Sequence, residues 1–452
     1  MAPAAFRVLD QCRVPISSGD PPRPREASVP LTFFDAFWII ATPLNRLLFY
    51  RWSGTTSDFV ASALPRLKAS LSSTLRVFYP FAGRLRSLPG EVDIYCTDAD
   101  SVAFTLAESD GDFLWLAGDA PRSSRELGLL APPAPAPGAD GLLPLFAVKV
   151  TVFPRAGFCL GFSMHHTLCD GNSFARFLRF WASACRSVGD HTPADDVAVL
   201  IDRSLVPDPR GLYTAFLKGV KVRAPPRPLP DDIVSATFLL RRAHIEALRS
   251  HASRTHPPAP PAPPRYSSFV LTCAHVWVTI LKARQGPAAT DLSGATCFAF
   301  MVDCRARLKP PLPEAYFGNC IVPCLVEAPL GFLVGEDGLG HAAKAIAGAV
   351  GRLGEGGEAL LEGAEGWAAR FLSWLPRGLL SVAGAPRLGV YQVDFGWGRP
   401  EKAELAGIDR SGAMTLAENR EGEGGIEVGL ALRLPEMEAF ASLFDAALDA
   451  VA

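Results

Sequence analysis

Leu145–Phe153 (LFAVKVTVF), Pro154–Gly157 (PRAG), Phe158–Met164 (FCLGFSM) and His165–Gly171 (HHTLCDG) form the stretch on which the reading of this chain turns. The first and third segments are apolar and rich in β-formers, and the Pro–Gly segment between them reads as a turn, which predicts two adjacent strands. A histidine-bearing loop follows directly. Beyond it, Phe174, Phe177, Leu178, Trp181 and Cys185 recur at helical spacing, with Arg176, Arg179, Ser183 and Arg186 on the opposite side. Asp170 or Asn172 is placed to cap that helix. A loop pinned between a strand and a helix gives a side chain a fixed position. Histidine, whose ordinary pKa lies close to neutrality, is the residue best able to take a proton from a hydroxyl and return it. His166 is therefore the candidate general base.

Working outward, residues 5–16 read as a first strand, 57–76 as a helix kinked or started by Pro65, and 92–106 as strands. The proline-rich, weakly periodic stretch 187–231 reads as a crossover between two halves. A strand over 233–241 and a helix from Ala243 to Arg254 open the second half. His256–Pro264 reads as a stiff surface insertion, and Gly354–Gly366 as a solvated loop running into a helix. The chain has 452 residues, enough for two cores, since single cores stop growing near roughly 250–300 residues.

Composition removes several function classes. A formal net charge of −2, with no polybasic run, argues against nucleic-acid or anionic-membrane partners. The N-terminus lacks the apolar core of a secretory signal, so the expected location is cytoplasmic. Ten scattered cysteines without a C-x-x-C pair point to free thiols, not a disulfide framework or zinc knuckle.

Three further segments carry information. Ser267–Ser268 precede an apolar helix over Phe269–Leu281, where they can cap it or present backbone N–H groups to an anion. Val302–Leu308 ends a strand with Arg305 and Arg307, either of which suits a buried carboxylate. Asp394-Phe395-Gly396-Trp397-Gly398 places glycines around a tryptophan, as a sharp turn with φ > 0 demands. Two rival readings of the histidine loop are weaker. A metal site from His165, His166 and Asp170 suffers because adjacent side chains on an extended strand end point to opposite sides. A serine hydrolase would need a second glycine that Gly161-Phe162-Ser163-Met164-His165 lacks.

His166-Thr167-Leu168-Cys169-Asp170-Gly171 together with Asp394–Gly398 resembles the paired signature H-x-x-x-D-G and D-F-G-W-G of the plant BAHD acyl-CoA-dependent acyltransferases. Leu67–Leu85 resembles that family's N-terminal helix and turn, and Tyr316-Phe317-Gly318-Asn319-Cys320 is similar to a motif marking its anthocyanin and flavonoid glucoside branch. The resemblance spans nearly the whole chain. It implies an α/β, two-domain, chloramphenicol-acetyltransferase-like fold, each domain a mixed sheet with flanking helices, and an active-site channel at the interface. The expected division is 1–190, completed by a segment near 376–400, then a crossover over 191–231, then 232–452.

The resemblance further implies direct transfer of a malonyl or hydroxycinnamoyl group from its CoA thioester to a sugar hydroxyl of a flavonoid, anthocyanin or other phenolic glucoside. His166 is the base. Asp394 joins it in the catalytic set as the second half of the signature, with the role of an interface anchor. Asp170 pairs with an arginine, Arg305 in preference to Arg307, so that Asp170, Gly171, Arg305, Gly396, Trp397 and Gly398 shape the site. Ser267, Ser268 and Asn172 are the candidates for binding acyl-CoA. Asn172 stands where some malonyl-using relatives carry a basic residue, with Arg176 one turn on. No metal and no resident cofactor are expected, and the protein is expected to be a monomer. A same-family enzyme acting on a non-glycosylated alcohol or amine, and a non-catalytic CoA-ester or phenolic binder, are the alternatives.

Overall fold

The computed structural model describes residues 5–18, 26–187, 199–219, 230–257, 265–285, 292–408, 413–422 and 424–451. Among these residues the strands form three sheets, and two of them organise the two halves. In the first, Phe6–Pro15, Ser101–Ser109, Phe146–Phe153, Gly157–Met164, Leu44–Arg51 and Lys402–Ala406 lie side by side in that order. All its pairings are antiparallel except that of Ser101–Ser109 with Phe146–Phe153. The continuous apolar runs of Phe146–Phe153 and Gly157–Met164 are buried along their entire length, as strands covered on both faces must be.

The second sheet orders Ile321–Pro329, Ala295–Asp303, Leu380–Ala383, Ala413–Glu418, Ile426–Arg433, Ile233–Leu240 and Arg122–Ser123. The two halves exchange strands. Lys402–Ala406, from late in the chain, closes the first sheet beside Leu44–Arg51, while Arg122–Ser123, from early in it, extends the second. The crossing strand thus lies just beyond the 376–400 window, and Leu380–Ala383 inside that window belongs to the second sheet. A smaller sheet of Glu26–Pro30, Glu91–Thr97, Arg84–Leu88 and Leu143–Pro144 flanks the first half.

The helix following the histidine loop spans Gly171–Arg186 and buries the predicted Phe174, Phe177, Leu178, Trp181 and Cys185. They pack on Leu67, Leu71 and Leu75 of the helix Leu64–Val77 in one continuous core with the first sheet. The expected helix over 57–76 is a composite. A short turn over Thr56–Asp58 runs into a π-turn over Phe59–Ala63, and the α-helix begins at Leu64 with Pro65 in its first turn, where a missing N–H costs nothing. In the second half, Ser268–Gln285 is buried without interruption from Val270 to Leu281.

Gly354–Gly366 departs from the solvated loop expected of it. It folds as successive 3₁₀ turns that bury Leu360, Leu361 and Ala364 against Phe33, Phe34 and Phe216. Of the crossover, residues 199–219 carry the turn Arg203–Leu205 and the helix Leu212–Gly219. Residues 188–198 and 220–229 of the crossover, and residues 258–264 of the proline-rich insertion, lie outside the described residues.

Candidate active site

The loop after Met164 turns sharply, with the His165 N–H donating to the Leu145 carbonyl and the Leu168 N–H to that of His165. Asp170 caps the helix, its Oδ1 accepting from the Ser173 N–H at 3.0 Å. Its Oδ2 accepts from the Cys320 N–H at 3.0 Å and from Arg305 Nη1 at 2.8 Å. Arg305 is the partner, as expected, and it also holds Asp303 at 2.8 Å and the Gly318 carbonyl at 3.0 Å. Arg307 instead donates to the Asp303 carbonyl. Asp170 is buried, and its oxygens are spent on the loop, the helix start and Arg305. It is a structural pin between the two halves.

His165 and His166 have opposite fates. His165 is buried, its Nδ1 accepts from the Thr167 N–H, and burial lowers its pKa to about 4. His166 is half-buried and lines a cavity. Its ring stacks on Trp38 with centroids 3.8 Å apart and planes 12° from parallel. Its Nδ1 lies 3.1 Å from Asn319 Oδ1. Asn319 itself is fixed, because its Nδ2 donates to Asp35 Oδ1 and to the His166 carbonyl, each at 2.9 Å. A carboxylate and a carbonyl only accept, so Nδ2 must face them and Oδ1 must face the ring. His166 Nδ1 then carries the proton, and Nε2 holds a free lone pair. Burial, opposed by Asp170, Asn319 and Asp35, pulls the His166 pKa below its ordinary 6.5, which keeps the ring neutral at pH 7.

Asp35 is in turn braced by the Thr32 N–H at 3.0 Å and by buried Arg203 at 3.2 Å. His166, Asn319, Asp35 and Arg203 therefore form one polar chain, most of it inaccessible to solvent. Sequence reasoning gave no role to Asp35, Trp38 or Arg203, and used Asn319 only as part of a branch marker. The one local signal was the Thr32-x-x-Asp35 spacing, which is a capping box.

The cavity has a volume of about 610 Å³ and is walled by both halves. Leu44, Arg46, Met164 and His166 face it from the first, and Phe300, Asp303, Leu372 and Val382 from the second. Gly171 and Asn172 also line it. Asn172 donates to Asp303 at 2.5 Å, so its amide is already engaged. Ser267 and Ser268 do not line the cavity. Ser267 Oγ accepts from the Val270 N–H at 3.2 Å, which is simple helix capping, and Ser268 Oγ accepts from Arg249.

Asp394, set beside His166 in the sequence reading, does not line this cavity either. Its Oδ1 accepts from the N–H groups of Gly396 at 2.7 Å and Gly398 at 3.0 Å, and its carbonyl from Arg186. Both glycines have positive φ, +103° and +87°. Phe395 is buried against Tyr50 and Trp181, and the Trp397 ring lies under Arg66 at 4.9 Å. Asp394 corrects to a loop anchor, because the short backbone path leaves its carboxylate on its own turn. Among the described residues, no three His, Cys, Asp or Glu side chains gather where they could hold a metal ion.

The chain matches the model of the Transferase family over residues 19–447. It is 34% identical to a malonyl-coenzyme:anthocyanin 5-O-glucoside-6'''-O-malonyltransferase of Salvia splendens, over 98% of this chain and 95% of that one. It is 33% identical to coumaroyl-CoA:anthocyanidin 3-O-glucoside-6''-O-coumaroyltransferase 2 of Arabidopsis thaliana, over 97% and 96%. The crystal structure of vinorine synthase shares its two-domain mixed α/β fold, with TM-score 0.72 at 23% identity over 97% of this chain and 98% of that one. By the family match and these identities, the chain belongs to the Transferase family, the acyltransferases whose paired signature its sequence resembles.

Proposed function

We propose that the protein transfers an acyl group, malonyl or hydroxycinnamoyl, from its CoA thioester to a sugar hydroxyl of an anthocyanin, flavonoid or other phenolic glucoside. Relatives named for both donors support the donor class, and their glucoside acceptors support the acceptor. Acyl-CoA is a co-substrate in this reading, no resident cofactor takes part, and the enzyme works as a cytoplasmic monomer. Among the described residues, no helix is long and apolar enough to cross a membrane.

His166 Nε2 removes the proton of the acceptor hydroxyl as that oxygen attacks the thioester carbonyl carbon. The tetrahedral oxyanion then collapses, the C–S bond breaks, and the imidazolium returns the proton to the departing thiolate. No covalent acyl-enzyme forms. Holding both substrates in one cavity supplies much of the rate, because an encounter in solution becomes a step within one complex. The observation that carries this reading is the fixed tautomer: Asn319 holds the proton on Nδ1, in a ring that lines the cavity.

The test incubates the protein with a matrix of CoA esters and phenolic glucosides and reads products by mass. An acylated glucoside and free CoA in equal amounts are the expected result. CoA-ester binding without thioester consumption by any acceptor would make the protein a binder instead.

A further inference from the structure

We infer that Arg46 is the receptor for a free carboxylate on the transferred acyl group, so that the cavity is built for a dicarboxylic donor such as malonyl-CoA. The inference rests on the acyltransferase reading and narrows it. Arg46 lies on the inner strand Leu44–Arg51 and lines the cavity. It pairs with Phe162 of Gly157–Met164, and Leu44 pairs with Met164. Directly opposed residues share a face of the sheet, so Arg46 projects on the side of Leu44 and Met164, both of which line the cavity. Arg46 and His166 therefore line the same cavity, the first from the sheet and the second from the loop that turns after Met164.

Arg46 is the one Lys or Arg among the described residues lining the cavity. Among those residues it makes no side-chain hydrogen bond or ion pair, whereas Asn172 and the other arginines near the histidine loop are occupied. Arg305 is held by Asp170 and Asp303, Asn172 by Asp303, and Arg176 by the Glu314 carbonyl. The acid nearest in electrostatic terms is Glu418, whose Oε1 accepts from the Tyr391 N–H at 3.0 Å and whose Oε2 has no hydrogen-bond partner. Glu418 favours the charged guanidinium without forming an ion pair. Burial lowers the Arg46 pKa to about 10, so it stays charged at neutral pH.

Arg46 is half-buried with open donors, so an anion in the cavity has a partner there, and its planar fork matches a carboxylate in two-point contact. The surroundings identify which anion. The lining is mostly apolar, with Leu44, Met164, Phe300 and Leu405 among it, and holds a single cation. One carboxylate on a short chain suits that setting. The several phosphate charges of CoA need a wet, multiply cationic mouth, and the ring of a hydroxycinnamoyl group gives the guanidinium no anion.

The test compares kcat/KM for malonyl-CoA and acetyl-CoA with one phenolic glucoside, in wild type, Arg46→Met and Arg46→Lys. These esters share the CoA moiety and differ by the carboxylate. Wild type should prefer malonyl-CoA, Arg46→Met should lower the malonyl-to-acetyl ratio by about 10- to 100-fold, and Arg46→Lys should recover part of it. Equal losses for both esters in Arg46→Met would overturn the inference and assign the arginine to CoA phosphate or to the fold. A wild-type ratio near one would overturn it whether or not the variants fold. Calorimetric binding of the two esters reads the same ratio without turnover. Discrimination in binding with no product from any acceptor would therefore sink acyl transfer while leaving the carboxylate subsite standing.

Discussion

Asn319 Oδ1 sits 3.1 Å from His166 Nδ1, and the same amide is locked end-for-end by its 2.9 Å donation to Asp35. The buried pair of Asp35 with Arg203 thereby sets the tautomer of a ring on the other side of the asparagine. Asn319 is a positioning residue, since it acts on the acceptor proton only through His166.

Asn319→Ala should accordingly lower kcat by about 10- to 100-fold with a much smaller change in KM. Asn319→Asp places a second carboxylate beside Asp35 and the ring, which should raise the His166 pKa. Steady-state kinetics across pH distinguishes the two. An Asn319→Ala enzyme with unchanged kcat would remove the amide from the account.

The pH dependence has a definite sign. His166 is neutral when competent and its pKa is lowered by burial, so kcat/KM should be flat at neutral pH and fall on an acid limb centred below 6.5. Asn319→Asp should move that limb toward neutrality. A wild-type limb centred above 7 would contradict the geometry.

Two other histidines tie stability to acid. Burial lowers the pKa of both His165 and His275 to about 4, from an ordinary 6.5 in the unfolded chain. Below pH 6.5 the unfolded chain binds protons that the folded one refuses, so stability is full above 6.5 and is lost as pH falls toward 4. Urea unfolding at pH 7 and pH 5 should show the loss, and His275→Gln should reduce the pH dependence.

Asp170 and Arg305 are joined with both side chains buried. Arg305→Met strands the buried Asp170 carboxylate and should cost about 3–5 kcal/mol in chemical denaturation, while Asp170→Asn, which leaves Arg305 its ion pair with Asp303, should cost less. The cycle combining both changes should show strong coupling. Independent, additive effects would mean that the pair does not hold the loop.

In the Asp394 loop the cost is structural. Asp394→Ala frees two backbone N–H groups, and Gly396→Ala puts a Cβ at φ +103°, 2.9 Å from Arg66. Each should lower thermal stability by about 1–3 kcal/mol while the acid limb of kcat/KM stays in place. A displaced limb would return Asp394 to the chemistry.

Legibility in the sequence followed the range of the interaction. The hairpin ending at Met164 and the helix from Gly171 were readable because their apolar residues repeat locally. The strand Lys402–Ala406 was not, since it buries a lysine and a glutamate. Those charges are tolerable only because Lys402 meets Asp119 at 2.7 Å and Glu404 meets Arg122 at 2.9 Å, both far away in the chain. His166 could be singled out from its loop alone, but its support could not. Asn319 lies 153 residues beyond it and Asp35 a further 284 residues back from Asn319, so no local pattern joins them. Ser267 carries the capping signal that its position before the apolar helix announced, and neither Ser267 nor Ser268 lines the cavity that holds His166.

The most direct measurement is single turnover of acyl-CoA with a phenolic glucoside by His166→Ala, alongside its melting temperature and its affinity for the CoA ester. With His166 as the base, the acyl-transfer rate should drop by about 10²- to 10⁴-fold while melting and ester affinity stay close to wild type. A His166→Ala protein that folds, binds the ester and still acylates the glucoside at near the wild-type rate would contradict it.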